Sequence, residues 1–447
     1  MMKTGTPLEH LQKAIQCETV SYGDRSRINF KEFDKFIAFL KESYPLLHKK
    51  ATLEMVEKYA LVYKLKGTSN LDPIALMGHY DVVPVKVEGW KVPPFGAEIH
   101  DGYIYGRGTL DMKGHVIAVC EAVEACLSEG IGFERDVYLL FGHNEETGSE
   151  MIDSGARLTR NLLKQRGIHF NLVLDEGGAY INGKAMGVDS TIALIGVGEK
   201  GYLDVELSAT QSGGHASTPP HTSALYDVAQ AAMKMESHKF SADFNPATEA
   251  MFKALIPYMK QPMKFLFKNR QLFKPILLLA LVKSPETAAT VRTTSVMTMA
   301  SGSSAPNVLA QVAKININCR IIPGDSIEKT VRRIETRVGP KIKVTPKNGN
   351  QPTEICRSDI PQFEIVSKAL TSVYPELRVV APYLMVAATD SRVYHGMADA
   401  VYRVPPFSSM KDDRSTIHAD NERLSIESYH KGIEFFKKVL IEATKTK

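Results

Sequence analysis

Three apolar runs of strand length in this chain stop abruptly at metal-seeking side chains. They are Pro73-Ile-Ala-Leu-Met-Gly-His79-Tyr-Asp81, Asp136-Val-Tyr-Leu-Leu-Phe-Gly-His-Asn-Glu145-Glu146 and Asn171-Leu-Val-Leu-Asp175-Glu176. In a mostly parallel sheet the strands share a direction, so residues just past their carboxyl ends converge on one crevice, where open α/β folds place their sites. One imidazole and several carboxylates would meet there. Asp111, in Gly106-Arg-Gly-Thr-Leu-Asp111-Met-Lys-Gly114, and the distant His418 extend the inventory to one that suits two divalent cations. By residue type the chain reads as a two-metal hydrolase.

At 447 residues the chain exceeds the size that one hydrophobic core usually serves, so two domains are expected. A composition of 44% hydrophobic and 23% charged residues excludes wholesale disorder. The net charge of +5 comes from interleaved signs and gives no case for a nucleic-acid partner. The five cysteines are scattered without a C-x-x-C pair, against both a disulfide framework and a thiolate zinc site. The amino terminus lacks the apolar core of a signal peptide. No apolar run approaches the roughly 18 residues of a membrane span, and the strongest, Pro275 to Val282, is far too short. The expectation is a cytoplasmic enzyme without stable membrane insertion, or a secreted one if a leader has been removed.

Strand and helix patterns alternate from about residue 8 to 195, as in an α/β domain. After Asp111, Val116, Val119, Cys120, Val123 and Leu127 recur at helical spacing, and Gly130 ends the helix. Near residue 196 the character changes. Tyr202-Leu-Asp-Val-Glu-Leu-Ser-Ala and Ile315-Asn-Ile-Asn-Cys-Arg320-Ile alternate apolar with polar, the signature of strands with one solvated face. Between them lie a helical pattern from Ser223 to Met235 and a Lys- and Phe-rich stretch. The expected division is therefore 1–195 as the first part of a catalytic domain, 196–350 as an inserted α+β domain, and 351–447 as the return that brings His418 back to the crevice.

The chemistry follows from residue type. His79 and Asp81 point to the same side of an extended segment, so one imidazole nitrogen can bind metal while the carboxylate orients the ring. Glu145 and Glu146 repel one another unless cations or a proton relieve them, which divides naturally into one ligand and one general base. His143 is assigned to packing or hydrogen bonding. Asp111, Asp175 and His418 complete five oxygen or nitrogen ligands without sulfur, suited to Zn²⁺ with Co²⁺ or Mn²⁺ as rivals; alone, Asp111 or Asp175 is more often a cap or turn residue, and His418 more often a plain structural histidine. His215, in Gln211-Ser-Gly-Gly-His215, is either a plain loop histidine or a donor to a developing oxyanion. Asn307, Arg320 and Arg392 are candidates to grip a substrate carboxylate, although a solvated surface is the commoner fate of an arginine. Gly196-Val-Gly198-Glu-Lys-Gly201 matches a dinucleotide fingerprint, but a strand pattern follows where a helix is required.

The same residues, from His79-Tyr-Asp81-Val-Val-Pro84 through Asn144-Glu-Glu146, Gly214-His215 and Asn307 to Ile417-His418, resemble the aminoacylase, carboxypeptidase S and glutamate carboxypeptidase family of di-zinc hydrolases. Glu88-Gly-Trp90, Pro93-Pro-Phe95 and Thr389-Asp-Ser-Arg392 look closest to the carboxypeptidase S branch and the N-fatty-acyl-amino-acid synthase/hydrolases. The resemblance implies an α/β zinc-peptidase catalytic domain with a mostly parallel central sheet, interrupted by a smaller α+β lid that often serves as a dimerisation domain. It implies two zinc ions, one on His79 and Asp175 and one on Glu146 and His418, with Asp111 between them. Asp81 would orient His79, Glu145 would be the general base, and His215 the lid donor, in some relatives reaching across a homodimer. Met112 stands where several relatives carry a second Asp.

The expected reaction is hydrolysis of an amide next to a free carboxylate, in N-acyl amino acids with N-fatty-acyl ones among them, with Glu145 moving the proton. Two alternatives stand beside it. One is a carboxypeptidase or dipeptidase on short peptides; the other is a metal-free binding protein on the same fold. The stretch Met251 to Lys283, with its Phe, Met and Lys residues, is either core with a basic solvated face, an acyl-chain channel, or a surface that meets membranes transiently.

Overall fold

The three apolar runs form neighbouring strands of one sheet. The computed structural model describes residues 5–148, 154–409 and 411–445. Its nine-stranded sheet runs Ala51–Val56, Ala60–Leu65, Val137–Gly142, Ile74–His79, Leu172–Glu176, Val401–Val404, Thr191–Glu199 and Val379–Met385, with Ala179–Asn182 paired to Thr191–Glu199. The central strands Val137–Gly142, Ile74–His79, Leu172–Glu176 and Val401–Val404 are mutually parallel. Both Ile74–His79 and Val137–Gly142 are buried at every position, which is why they read as unbroken apolar runs.

Helices Lys113–Ser128, Pro361–Val373 and Ile426–Ala443, with Pro7–Ile15 and Phe30–Ser43, contribute to the main core on one face of the sheet. Helix Gly155–Gln165 and the turn Asp390–Tyr394 supply Leu163 and Tyr394 to a smaller core that includes Val173 and Val401. Since Val379–Met385 and Val401–Val404 join this sheet, the last hundred or so residues return to the unit built by the first two hundred.

A second, four-stranded antiparallel sheet runs Thr294–Ser301, Val312–Ile321, Gly201–Thr210, Lys343–Asn350. Burial alternates along Gly201–Thr210, and its inward Leu203, Val205 and Leu207 pack with Val228 and Met235 of helix Ala224–Ser237 and Ile334 and Val338 of helix Ile327–Val338. The large-sheet strand continues through residue 196 to Glu199, so the chain crosses into this unit at Lys200 and leaves it at Gln351. Strand follows strand across Gly196 to Gly201, without the helix that a dinucleotide site needs.

The stretch within 246–281 departs from the simple insertion. Helices Pro246–Leu255, Met263–Lys268 and Lys274–Leu281 bury Phe252, Leu255, Phe267 and Leu277 against Ile192, Val379 and Ala381 of the large sheet. The physical reason is the apolar face made by Ala179, Ile192, Leu194, Val379 and Ala381 at this end of the large sheet, which needs cover.

Candidate metal centre

His79 ends its strand, and its ring is fixed from both sides. Nδ1 lies 3.0 Å from the Asp81 carbonyl oxygen and 3.4 Å from Asp81 Oδ1, while Nε2 lies 3.0 Å from Asp111 Oδ1 and 3.4 Å from Glu176 Oε1. Asp81 is itself fully buried; its Oδ2 accepts from Ser21 Oγ at 2.6 Å. Burial alone would push that carboxyl up, but the His79 and Ser21 hydrogen bonds outweigh it and hold it below the usual range.

Asp111 sits in the loop before helix Lys113–Ser128 and presents one oxygen to each histidine. Its Oδ1 meets His79, and its Oδ2 lies 3.0 Å from His418 Nε2. His418 Nε2 is also 3.1 Å from a Glu146 oxygen. Two groups of donor atoms result, His79 with Asp111 and Glu176, and Asp111 with Glu146 and His418; within each, the atoms lie within 4.8 Å of one another.

The loop that carries Asp111 is held by Glu422. This fully buried carboxylate pairs with Arg107 Nη1 at 2.7 Å and accepts the backbone N–H groups of Gly108, Leu110 and Asp111. On its own Glu422 looks like any acidic loop residue.

Carboxylates outnumber cations in the crevice, and the titration of its members registers this. Burial, with Asp111 close by, pushes Glu176 up to about 8, and burial also raises Glu145 and Glu146. Hydrogen bonds to Asp111 and Glu146 push His418 up to about 10. Against its own burial, Asp111 is held low by the His418 and His79 hydrogen bonds. A donor set of carboxylates and imidazoles with surplus negative charge fits divalent cations, the species that would relieve it.

Several expected site residues stand elsewhere. Asp175 does not face His79. Adjacent strand residues point to opposite sides, and Asp175 turns away to accept the Ser391 N–H at 2.9 Å while Glu176 enters the crevice. Arg392 is buried at the crossing between the two units, where Nη2 donates to the Gln351 carbonyl oxygen at 3.0 Å. Arg320 lies over the Tyr202 ring, 4.7 Å from its centroid, on the smaller sheet. His215 is exposed and hydrogen-bonds Ser217 Oγ at 2.7 Å; it shares a two-stranded ribbon with Val308, and the Asn307 carbonyl oxygen accepts from Ala216 N–H. The ribbon brings His215 and Asn307 near one another, but neither lines the crevice. His143 is buried beside the Tyr59 ring.

The crevice opens into a cavity of about 430 Å³ lined by Asp111, Glu145, Glu146, Glu176 and His418, and by the apolar Met385, Ala387, Ala388, Pro406 and Phe407. Arg414 lines it too, at the end of the short helix Lys411–Arg414, and its buried Nε makes no hydrogen bond among the described residues. No spacing in the sequence singles out this arginine.

Comparison with known proteins gives this geometry its context. The model of peptidase family M20/M25/M40 matches residues 75–442. A probable carboxypeptidase S-like 2 protein of Dictyostelium discoideum is 34% identical over 96% of this chain and 83% of its own length. The mouse N-fatty-acyl-amino acid synthase/hydrolase PM20D1 is 31% identical over 96% of this chain and 86% of its own. Among solved structures, an M20 family metallo-carboxypeptidase from Sulfolobus solfataricus superposes with a TM-score of 0.71 at 16% identity, covering 98% of this chain and 99% of that one. Human carnosine dipeptidase 1 gives 0.67 at 14% identity, covering 98% and 96%. The chain belongs to peptidase family M20/M25/M40 and is an enzyme of the metallopeptidase type, a hydrolase of amide bonds.

Proposed function

We propose that the protein hydrolyses the amide bond of N-acyl amino acids, including those with long acyl chains, at a centre for two zinc ions. His79 and Glu176 would hold one ion, Glu146 and His418 the other, and Asp111 would bridge them; Co²⁺ or Mn²⁺ would serve as substitutes. The observation that carries this reading is Asp111, whose two oxygens each meet a different histidine at 3.0 Å. When bound, such cations polarise the amide carbonyl and bring the pKa of water to roughly 7.

The chain's own residues supply the rest. Glu145, at the edge of the cavity, takes the proton of the attacking water and returns it to the leaving amine. Asp81 keeps the His79 ring in register. Arg414 receives the free carboxylate, which fixes the amide relative to Glu145. The wall of Met385, Ala387, Ala388 and Phe407 receives the acyl chain. The unit from Gly201 to Asn350 acts as a lid, and His215 with Asn307 reaches the oxyanion when it closes or from a second copy. A homodimer through the lid is supported by the edge strand Thr294–Ser301, which exposes Val296, Met297 and Met299.

The test is hydrolysis of N-oleoyl-phenylalanine, N-acetyl-phenylalanine and glycyl-phenylalanine by the zinc-loaded enzyme, with and without chelator. Chelator-sensitive preference for the two N-acyl substrates is the expected result. Preference for the dipeptide would replace this reading with a peptidase, and no cleavage of any would replace it with a binding protein.

A further inference from the structure

From Met251 to Lys283 the chain carries seven lysines and arginines and no aspartate or glutamate. The helices of this stretch satisfy their core requirement with one face only. Phe267 and Leu277 are nearly fully buried, whereas Phe265 is 54% exposed, Leu272 77%, Ile276 60% and Leu279 65%. Leu272, Ile276 and Leu279 follow one another by four and three residues, so they share one side of helix Lys274–Leu281 and the turn that leads into it. The Phe265 ring packs on Phe273 at 5.7 Å, which joins the two short helices into one apolar surface.

Cations surround that surface. Lys260, Arg270 and Lys274 have carboxylate partners from outside the stretch, while Lys268 and Lys283 are exposed and make no ion pair among the described residues. Large apolar side chains in water, flanked by lysines without carboxylate partners, are the combination that binds where hydrocarbon and anionic headgroups occur together. A second copy of the same face would set like charges against each other. None of the described helices is long and apolar enough to cross a membrane, so insertion is limited to side chains.

We propose that the outward face of residues 263–283 docks the enzyme reversibly on an anionic lipid surface. The position gives the docking a use. These helices cover Val379–Met385, and Met385 at the end of that strand lines the catalytic cavity, as does Ala179, which packs in the same cluster as the helices. An amphiphilic substrate leaving the lipid surface would enter beside the metal centre. That use rests on the N-acyl amino acid reading above, but the docking itself does not.

The experiment is flotation of the full-length, zinc-loaded protein with vesicles of phosphatidylcholine alone and of phosphatidylcholine with phosphatidylserine. Binding is expected to the second only, to weaken as salt is raised, and to fall about tenfold or more in Leu272→Ser/Ile276→Ser/Leu279→Ser and in Lys268→Glu/Lys283→Glu. Both variants alter exposed side chains, and thermal unfolding should show their fold intact. Absence of flotation with either vesicle, or equal flotation of the variants, would overturn the proposal. So would a change in solution mass in the variants with vesicle binding unaltered, which would make the face a contact between copies. Vesicle binding without any amide cleavage would leave docking standing while removing the proposed reaction.

Discussion

The carboxylate of Asp81 accepts the backbone N–H of Glu145 at 3.1 Å and that of Glu146 at 3.3 Å. The group that steadies His79 therefore also caps the short helix on which the two glutamates enter the crevice, satisfying first-turn donors that the helix cannot satisfy itself. Asp81→Asn removes the charge and turns an amide donor toward one of these partners. Metal affinity should fall ten- to a hundredfold, with turnover falling alongside it. Competition with a coloured chelator and steady-state kinetics on one preparation measure both; unchanged values would leave Asp81 a purely structural residue.

Glu145 lines the cavity but belongs to neither donor group. Glu145→Gln preserves the shape of the side chain and removes its capacity to accept a proton. Both metals should remain bound while kcat falls about 10²–10⁴-fold with little change in KM. Metal analysis beside kinetics separates this from loss of a ligand, and near-normal kcat would reassign the base.

Glu176 and Asp175 give a paired test, because the strand points them to opposite sides. Glu176→Gln should lose one metal equivalent and most of the activity. Asp175→Asn keeps an oxygen able to accept the Ser391 N–H and should retain both metals. Elemental analysis after gel filtration measures the stoichiometry; the reverse pattern would restore Asp175 as the ligand.

That pair also marks the limit of what was legible beforehand. The central strands could be read because they are buried on both faces and their apolar runs are unbroken. The meeting of His79 with Glu146 followed from strand direction, whereas Asp111 and His418 rested on residue type and on the family resemblance. The choice between adjacent Asp175 and Glu176 depends on which side of one strand faces the crevice, and an all-apolar run carries no alternation from which to count. Glu422 and Arg414 were hidden for another reason. Each acts through contacts more than two hundred residues away in sequence or through a cavity wall, and neither sits at a telling spacing. The helices within 246–281 pack on the large sheet because an apolar face there needs cover, a tertiary requirement with no local signature.

Lys200 marks the first crossing between the two units, and its Nζ donates to the carbonyl oxygens of Ala289 and Arg292 at 2.9 and 2.8 Å. Burial, with Arg320 and Arg292 nearby, pushes this amine down to about 7. An unfolded lysine titrates near 10.4, so between about pH 7 and 10.4 the unfolded chain binds more protons and the contribution of Lys200 to stability rises with pH. Lys200→Met removes that dependence. The Tm of the wild type relative to the variant should therefore climb from about pH 7 to pH 10; a constant difference would show that the buried amine does not titrate in this window.

Arg414 offers the most direct link between the cavity and substrate choice. Its buried Nε has no hydrogen-bond partner among the described residues, and the residue lines the same cavity as Glu145 and the apolar wall. Arg414 is half-buried on the cavity wall, where its guanidinium can meet a substrate carboxylate with a planar, two-pronged contact that a lysine cannot reproduce. Arg414→Ala should raise KM for N-acyl amino acids about ten- to a hundredfold, with kcat affected less, whereas the corresponding N-acyl amino amides, which lack the carboxylate, should lose little. Arg414→Lys should recover only part of the loss. If both substrate series weakened equally, Arg414 would be supporting the cavity wall, and recognition of the free carboxylate would have to come from the lid, where His215 and Asn307 share a ribbon.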